Sequence, residues 1–158
     1  MTDRYPGPLP TPFFKRHVNE WVEPTMVALF SGQITASKPG VLIGATKGHG
    51  KVVDVFLAIK GSGKDDSNTL SLTADVMING TSCLTTAPVI AHVSGEAATN
   101  KTTKETGDTG ITQAVIDTDN DDYAAGDVLT CNWTLTRTAS PTTEMNNAVL
   151  IVELQPYQ

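Results

Sequence analysis

The chain has 158 residues and a mass of 16.7 kDa, with 39% hydrophobic and 18% charged residues, a formal net charge of -6 and a pI near 4.9. A chain of this length suits one domain whose core needs neither a metal nor a disulfide scaffold, and its acidity argues against a surface built to grip nucleic-acid phosphates. No apolar run approaches the roughly 20 residues of a spanning helix, and the opening MTDRYPGPLPTPFF lacks the charged-then-apolar pattern of a secretory signal. The expectation is a protein made in a cytoplasm, with no membrane and no nucleic-acid partner.

Residues 1–24 stand apart from the rest. Pro6, Pro8, Pro10, Pro12 and Pro24 are five of the nine prolines, and such a segment cannot join the middle of a sheet. Its first half is expected to be extended and polyproline-like, with a low entropic cost of ordering on another surface. Phe14, Val18, Trp21 and Val22 then recur at helical spacing. Two readings stay open for this arm: a strap packed on its own domain, or an arm reaching a neighbouring subunit. Exposed Phe13, Phe14 and Trp21 would otherwise be a solubility liability, so Pro8, Pro10, Pro12, Phe13, Phe14 and Trp21 are the candidate partner-binding residues.

Residues 25–158 read as a β domain. Met26–Ile34 is a strand with Gly32 as a candidate bulge. Val41–Thr46 and Lys51–Lys60 read as a hairpin closed by Lys47-Gly48-His49-Gly50, with Val53, Val55, Leu57 and Ile59 facing one way. Thr69–Asn79 alternates most cleanly, placing Leu70, Leu72, Ala74, Val76 and Ile78 inward, and a one-residue slip would expose all of them. Asn79-Gly80 is a strong hairpin signal that leads into Ser82–Val93, where Pro88 marks an edge or a bulge. Residues 94–110, SGEAATNKTTKETGDTG, have no hydrophobic period and read as a long exposed loop, a frequent place for binding. Ile111–Asp117, Asp127–Thr138 and Ala148–Leu154 complete eight candidate strands. In the seventh, Cys131, Trp133 and Leu135 face the core and a threonine-rich row faces out.

Short strands punctuated by Gly, Pro and Asn-Gly, without helix–strand alternation, predict an all-β antiparallel sandwich with an extended Pro-rich N-terminal arm. Jelly-roll connectivity is the expectation. An immunoglobulin-like sandwich fits less well, because Trp133 lies two residues after Cys131 and is not flanked by a widely spaced cysteine pair.

Motifs with chemistry are few. Asp117, Asp119 and Asp121 resemble the opening of a calcium loop, but the sixth position is Asp122 and the twelfth Val128, where such a loop needs Gly and Glu. An acidic turn is the plainer reading. Gly61-Ser62-Gly63-Lys64 lacks the flanking Gly and Ser/Thr of a phosphate loop, having Ala58 and Asp65 there, and it opens no helix. His17, His49 and His92 have no paired spacing for a metal and read as surface or turn residues. Cys83 and Cys131 read as small buried hydrophobes, with a bridge between strands as the alternative. The N-x-T sequons at Asn79, Asn100 and Asn132 are what a threonine-rich chain produces by chance. No Ser, Cys or Asp sits in a nucleophile motif, so no enzymatic activity and no cofactor are expected.

A resemblance goes further than these motifs. Asp75-Val76-Met77-Ile78-Asn79-Gly80-Thr81-Ser82 is followed by a long polar loop and Gly126-Asp127-Val128-Leu129. Thr134-Leu135-Thr136-Arg137-Thr138, Ser140-Pro141-Thr142-Thr143-Glu144-Met145 and Val149-Leu150-Ile151-Val152-Glu153 follow. Residues 69–154 thereby resemble the β-sandwich of accessory capsid proteins of tailed bacteriophages: decoration, cement or head-fibre proteins, often trimeric jelly rolls. The resemblance implies a virion structural protein on the outer capsid surface, made in the host cytoplasm. Its partners would be the major capsid protein and two further copies of itself, with the arm as one contact element. It carries no catalytic residue. A different function class remains beside it, a receptor- or carbohydrate-binding module of a fibre or tail that recognises its target through residues 94–110 and 117–126.

Overall fold

The computed structural model describes residues 24–65, 69–104, 108–138 and 140–157. Every regular element among them is a strand. They are β1 (Thr25–Ile34), β2 (Lys38–Ala45), β3 (Gly50–Gly61), β4 (Ser71–Ile78), β5 (Thr81–Ser82), β6 (Leu84–Thr86) and β7 (Val89–Ala91). After these come β8 (Lys101–Thr102), β9 (Ile111–Thr112), β10 (Val115–Ile116), β11 (Asp122–Tyr123), β12 (Val128–Thr136) and β13 (Met145–Pro156). The proposed arm lies outside the described residues up to Pro24.

The strands form two main sheets. The first runs β1-β13-β3-β11, with β8 also on β3; the second runs β2-β12-β4-β7-β9, with β5 also on β4. A short β6–β10 ribbon stands beside them. All ladders are antiparallel, and the pairing is nested. β1 pairs with β13, β2 with β12, β3 with β11, and β4 with β7, so one long ribbon is folded on itself and rolled. That connectivity is a jelly roll, the expected form of the sandwich.

The core lies between the sheets. Leu70, Leu72, Ala74 and Val76 are completely enclosed and Ile78 nearly so, which is the register read from the β4 alternation. From β12, Leu129, Cys131 and Trp133 point the same way. Trp133 meets Phe30 of β1 edge to face, with centroids 5.7 Å apart, so one aromatic pair joins the two sheets. Asn79 and Gly80 take φ values of 50° and 88°, the two left-handed positions of a type I′ turn. The expected bulge at Gly32 is present. Ser31 and Gly32 together oppose Asn147 between the pairs Phe30–Ala148 and Gln33–Asn146, and the Gly32 amide donates to the Asn147 side chain at 2.9 Å.

Several expectations need correction. β2 and β3 are not a hairpin: β2 pairs with β12 and β3 with β13, so Lys47–Gly50 carries the chain from one sheet to the other. Val53 does not share a face with Val55, Leu57 and Ile59. The ladder passes from Glu153–Asp54 to Leu154–Val52, leaving Val53 as a bulged residue and turning Val52 into the core. The expected strand Ser82–Val93 is divided among β5, β6 and β7, with Pro88 in the gap between the last two, where a residue without an amide proton interrupts the ladder. Ile111–Asp117 is likewise two short strands.

Candidate docking face

The outward faces of the two sheets differ in chemistry. On the second sheet, β12 presents Thr130, Asn132, Thr134 and Thr136 beside Ser71, Thr73 and Asp75 of β4. The outward apolar residues Leu42, Ala45, Met77 and Val128 gather at one end of this face, and the partly exposed Val89 and Ala91 of β7 lie beside Thr73 and Ser71. On the first sheet the register places Val27 of β1, Ile151 of β13 and Phe56 of β3 in one row, and Leu29, Val149 and Ala58 in the next. Val27 is 46% and Leu29 66% exposed; the other four are partly exposed. Six apolar side chains in two adjacent rows make a contiguous patch on one side of the molecule, the kind of surface that marks an interaction site.

Polar groups border this patch. At one end the Lys104 ammonium lies 4.8 Å from the centroid of the Phe56 ring, is hydrogen-bonded to Asp54 and comes within 3.9 Å of Glu153. The Asp54 hydrogen bond holds Lys104 above the ordinary lysine range, against partial desolvation. At the other end an open groove of about 450 Å³ is lined by Ala58, Lys60, Thr102, Asp108, Asn147 and Val149, among others.

A sequence signal for this face existed. Met26–Phe30, Val55–Ile59 and Ala148–Val152 are nearly unbroken apolar runs, and a run without polar alternation indicates apolar side chains on both faces of a strand. The three runs become neighbours only in the fold, which is why the sequence alone does not assemble them into a surface.

In the segment 94–110, the described residues 94–104 and 108–110 are not simply an exposed loop. β8 pairs with β3, and Lys101, 5% exposed, directs its ammonium inward. It donates to the carbonyl oxygens of Ala91 and Thr109, at 3.2 and 2.7 Å, and to Glu96 at 2.5 Å. Thr103 is buried, and its hydroxyl accepts from the Leu57 amide at 3.0 Å. A polar sequence hid a buried cation whose stem and head are both enclosed.

In the acidic segment, Asp117 accepts from the Asp119 amide at 3.2 Å and from the Asn120 side chain at 2.8 Å. Its carboxylate thus closes its own turn. Asp121 is buried and Asp119 exposed. Among the described residues no three His, Cys, Asp or Glu side chains are grouped to hold a metal ion. Tyr123, the aromatic of this segment, is 6% exposed and belongs to the core. In the Gly61–Lys64 turn, Lys64 and Thr143 exchange backbone hydrogen bonds of 2.8 and 3.0 Å.

His49 is exposed, but His92 is buried at 4%, with no partner for its Nδ1. The expectation of a surface histidine fails there because β7 carries His92 directly onto Leu70, whose carbonyl accepts its amide at 2.8 Å. Cys83 and Cys131 are free and buried. Burial, aided by nearby Asp75, pushes both thiols up to about 12. Pro8, Pro10, Pro12, Phe13, Phe14 and Trp21 lie outside the described residues.

No protein-family model, curated protein sequence or solved structure matches the chain.

Proposed function

We propose that the protein is a virion structural component that decorates and stabilises a bacteriophage capsid, oligomerising and bridging capsomers. The observation that supports this reading is the apolar outer face of the first sheet, built from Val27, Leu29, Phe56, Ala58, Val149 and Ile151. A side of this composition gains free energy when another protein surface covers it. On a shell, many identical sites of modest area act together, and multivalency supplies the retention that one contact lacks. The homotrimer and the major capsid protein are the partners this reading assigns.

The receptor-binding alternative uses residues 94–110 and 117–126. It loses support from Tyr123, whose ring is turned into the core and is not available to stack on a sugar. Cryo-electron microscopy of the source particle tests the choice between the two. Copies in regular array on the capsid are the expected result, and copies confined to a tail or fibre tip would overturn it. Light scattering of the purified protein is expected to report a trimer; a stable monomer would count against the reading.

A further inference from the structure

We infer that the apolar outer face of the first sheet is the seat of the chain's own residues 1–23. This rests on treating that face as a contact surface, and it names the occupant.

The point of attachment is the first argument. The Pro24 carbonyl accepts from the Leu154 amide at 3.0 Å, which ties the end of the segment to the first sheet. The next residues are β1, the edge strand of that sheet, and β1 carries Val27 and Leu29, the two most exposed members of the patch. The segment therefore leaves the domain at the border of the surface it would cover. Reach is not limiting. Twenty-three residues extend to at most about 75–80 Å, whereas two side-chain rows on three strands span only about 10 Å in the pairing direction.

Chemistry is the second argument. The segment holds Phe13, Phe14, Val18, Trp21 and Val22, large apolar groups matched to a face of Val, Leu, Ile and Phe. Pro6, Pro8, Pro10 and Pro12 lack amide protons at alternate positions. Fixed φ at alternate positions favours an extended, polyproline-like course, which meets a surface mainly through side chains. Charge is compatible as well. Arg4, Lys15 and Arg16 balance Asp3, Glu20 and Glu23, so the net -6 resides on the rest of the chain. Lys15-Arg16, directly after the two phenylalanines, is complementary in sign to the Asp54–Lys104–Glu153 cluster bordering the patch, where two carboxylates share one ammonium.

The test uses the full chain with Phe14→p-benzoylphenylalanine, photo-cross-linked and mapped by mass spectrometry. Cross-links are expected in peptides containing Val27–Leu29, Phe56–Ala58 or Val149–Ile151, with a several-fold lower yield when Leu29→Lys is added. Cross-links to the threonine face of the second sheet, none at all, or a yield indifferent to Leu29→Lys would overturn the inference. Leu29 is 66% exposed, so Leu29→Lys should leave the core and the folded domain intact, with any fall in the thermal midpoint limited to the loss of the docked segment.

A second readout is tryptophan fluorescence. Trp133 is enclosed, so a change caused by Leu29→Lys comes from Trp21. A red shift with stronger acrylamide quenching is expected, and identical spectra would contradict the proposal. Mixing isotopically heavy and light copies shows whether the cross-link joins one chain or two; the seat is the same in both cases. Particle retention is scored separately. Cross-links without retention remove the capsid reading and leave the seat standing, and retention without cross-links does the reverse.

Discussion

Lys101 carries a positive charge into the interior of an acidic molecule, and three oxygens meet it there. Lys101→Met would keep most of the stem's packing but leave the Ala91 and Thr109 carbonyls and the Glu96 carboxylate without their donor. The expected loss is about 1–3 kcal/mol, measurable by urea denaturation, with faster hydrogen exchange centred on residues 94–110. The two cysteines set a chemical expectation. With both thiols pushed up to about 12, neither holds appreciable thiolate at neutral pH. Iodoacetamide should label Cys83 and Cys131 only in denaturant, and rapid labelling of the native protein would contradict their burial.

Asp127 works in the opposite direction. Its carboxylate accepts from the Ala124 amide at 2.7 Å and from the Asn79 side chain at 2.8 Å, and these bonds hold its pKa below the ordinary aspartate range. A depressed folded-state value means that the contribution is present above the unfolded pKa and is lost as pH falls through the folded one. An NMR titration should place Asp127 below the ordinary aspartate range. In Asp127→Asn, the part of the acid-induced destabilisation that arises from this group should disappear.

At the scale of the element, how readable a strand was depended on whether one face or two were apolar. The facing of β4 was legible because Leu70, Leu72, Ala74, Val76 and Ile78 alternate with Ser71, Thr73, Asp75 and Met77, so the period itself named the core, although the strand is shorter than the expected Thr69–Asn79. β3 was legible as a strand but not in its facing, since Lys51 to Lys60 is apolar on both sides and nothing in the sequence announces the bulge at Val53. The Lys47–Gly50 turn has hairpin residues yet joins two sheets; turn chemistry specifies a reversal of direction, not the partner strand. Residues 94–110 misled for a different reason. Among the described residues of this segment the buried ones are Lys101 and Thr103, polar residues that no hydrophobic period can reveal.

Turns can also be tested one at a time. Gly63 has φ of +71°, and a Cβ there would lie 2.5 Å from a Leu70 methyl carbon and 2.9 Å from the Thr143 carbonyl oxygen. Gly63→Ala should therefore destabilise the domain by about 1–3 kcal/mol, seen as a lower thermal midpoint. Gly80, also left-handed but with open space around it, should respond more mildly to the same change.

For the whole molecule, the fold class was visible in composition and punctuation, while the difference between its two outer faces was not. Register decides which apolar residues share a surface, and register is a property of strands far apart in sequence. Leu72 and Leu29 illustrate the division. Leu72→Ala empties space in an enclosed core and should cost about 2–5 kcal/mol. Leu29→Lys alters an exposed row and leaves the core filled, so the denaturation midpoint should fall far less than for Leu72→Ala.

The nested pairing of the strands also bears on how the protein comes to exist. β13 is the middle partner of β1 and β3, and β12 of β2 and β4, so both sheets take their central strand from the end of the chain. Thr25 finds Glu153 opposite it, and sequence separations of this kind make for slow folding, in the range of milliseconds to seconds for β-rich domains. While the polypeptide is still being synthesised, β1 and β2 have no partner strand, and β3 and β4 lack the central strands β13 and β12 that join them to the rest of their sheets. A nascent chain stalled before Val128 should therefore remain protease-sensitive and prone to aggregate, and it should gain resistance only when Pro156 has cleared the ribosome.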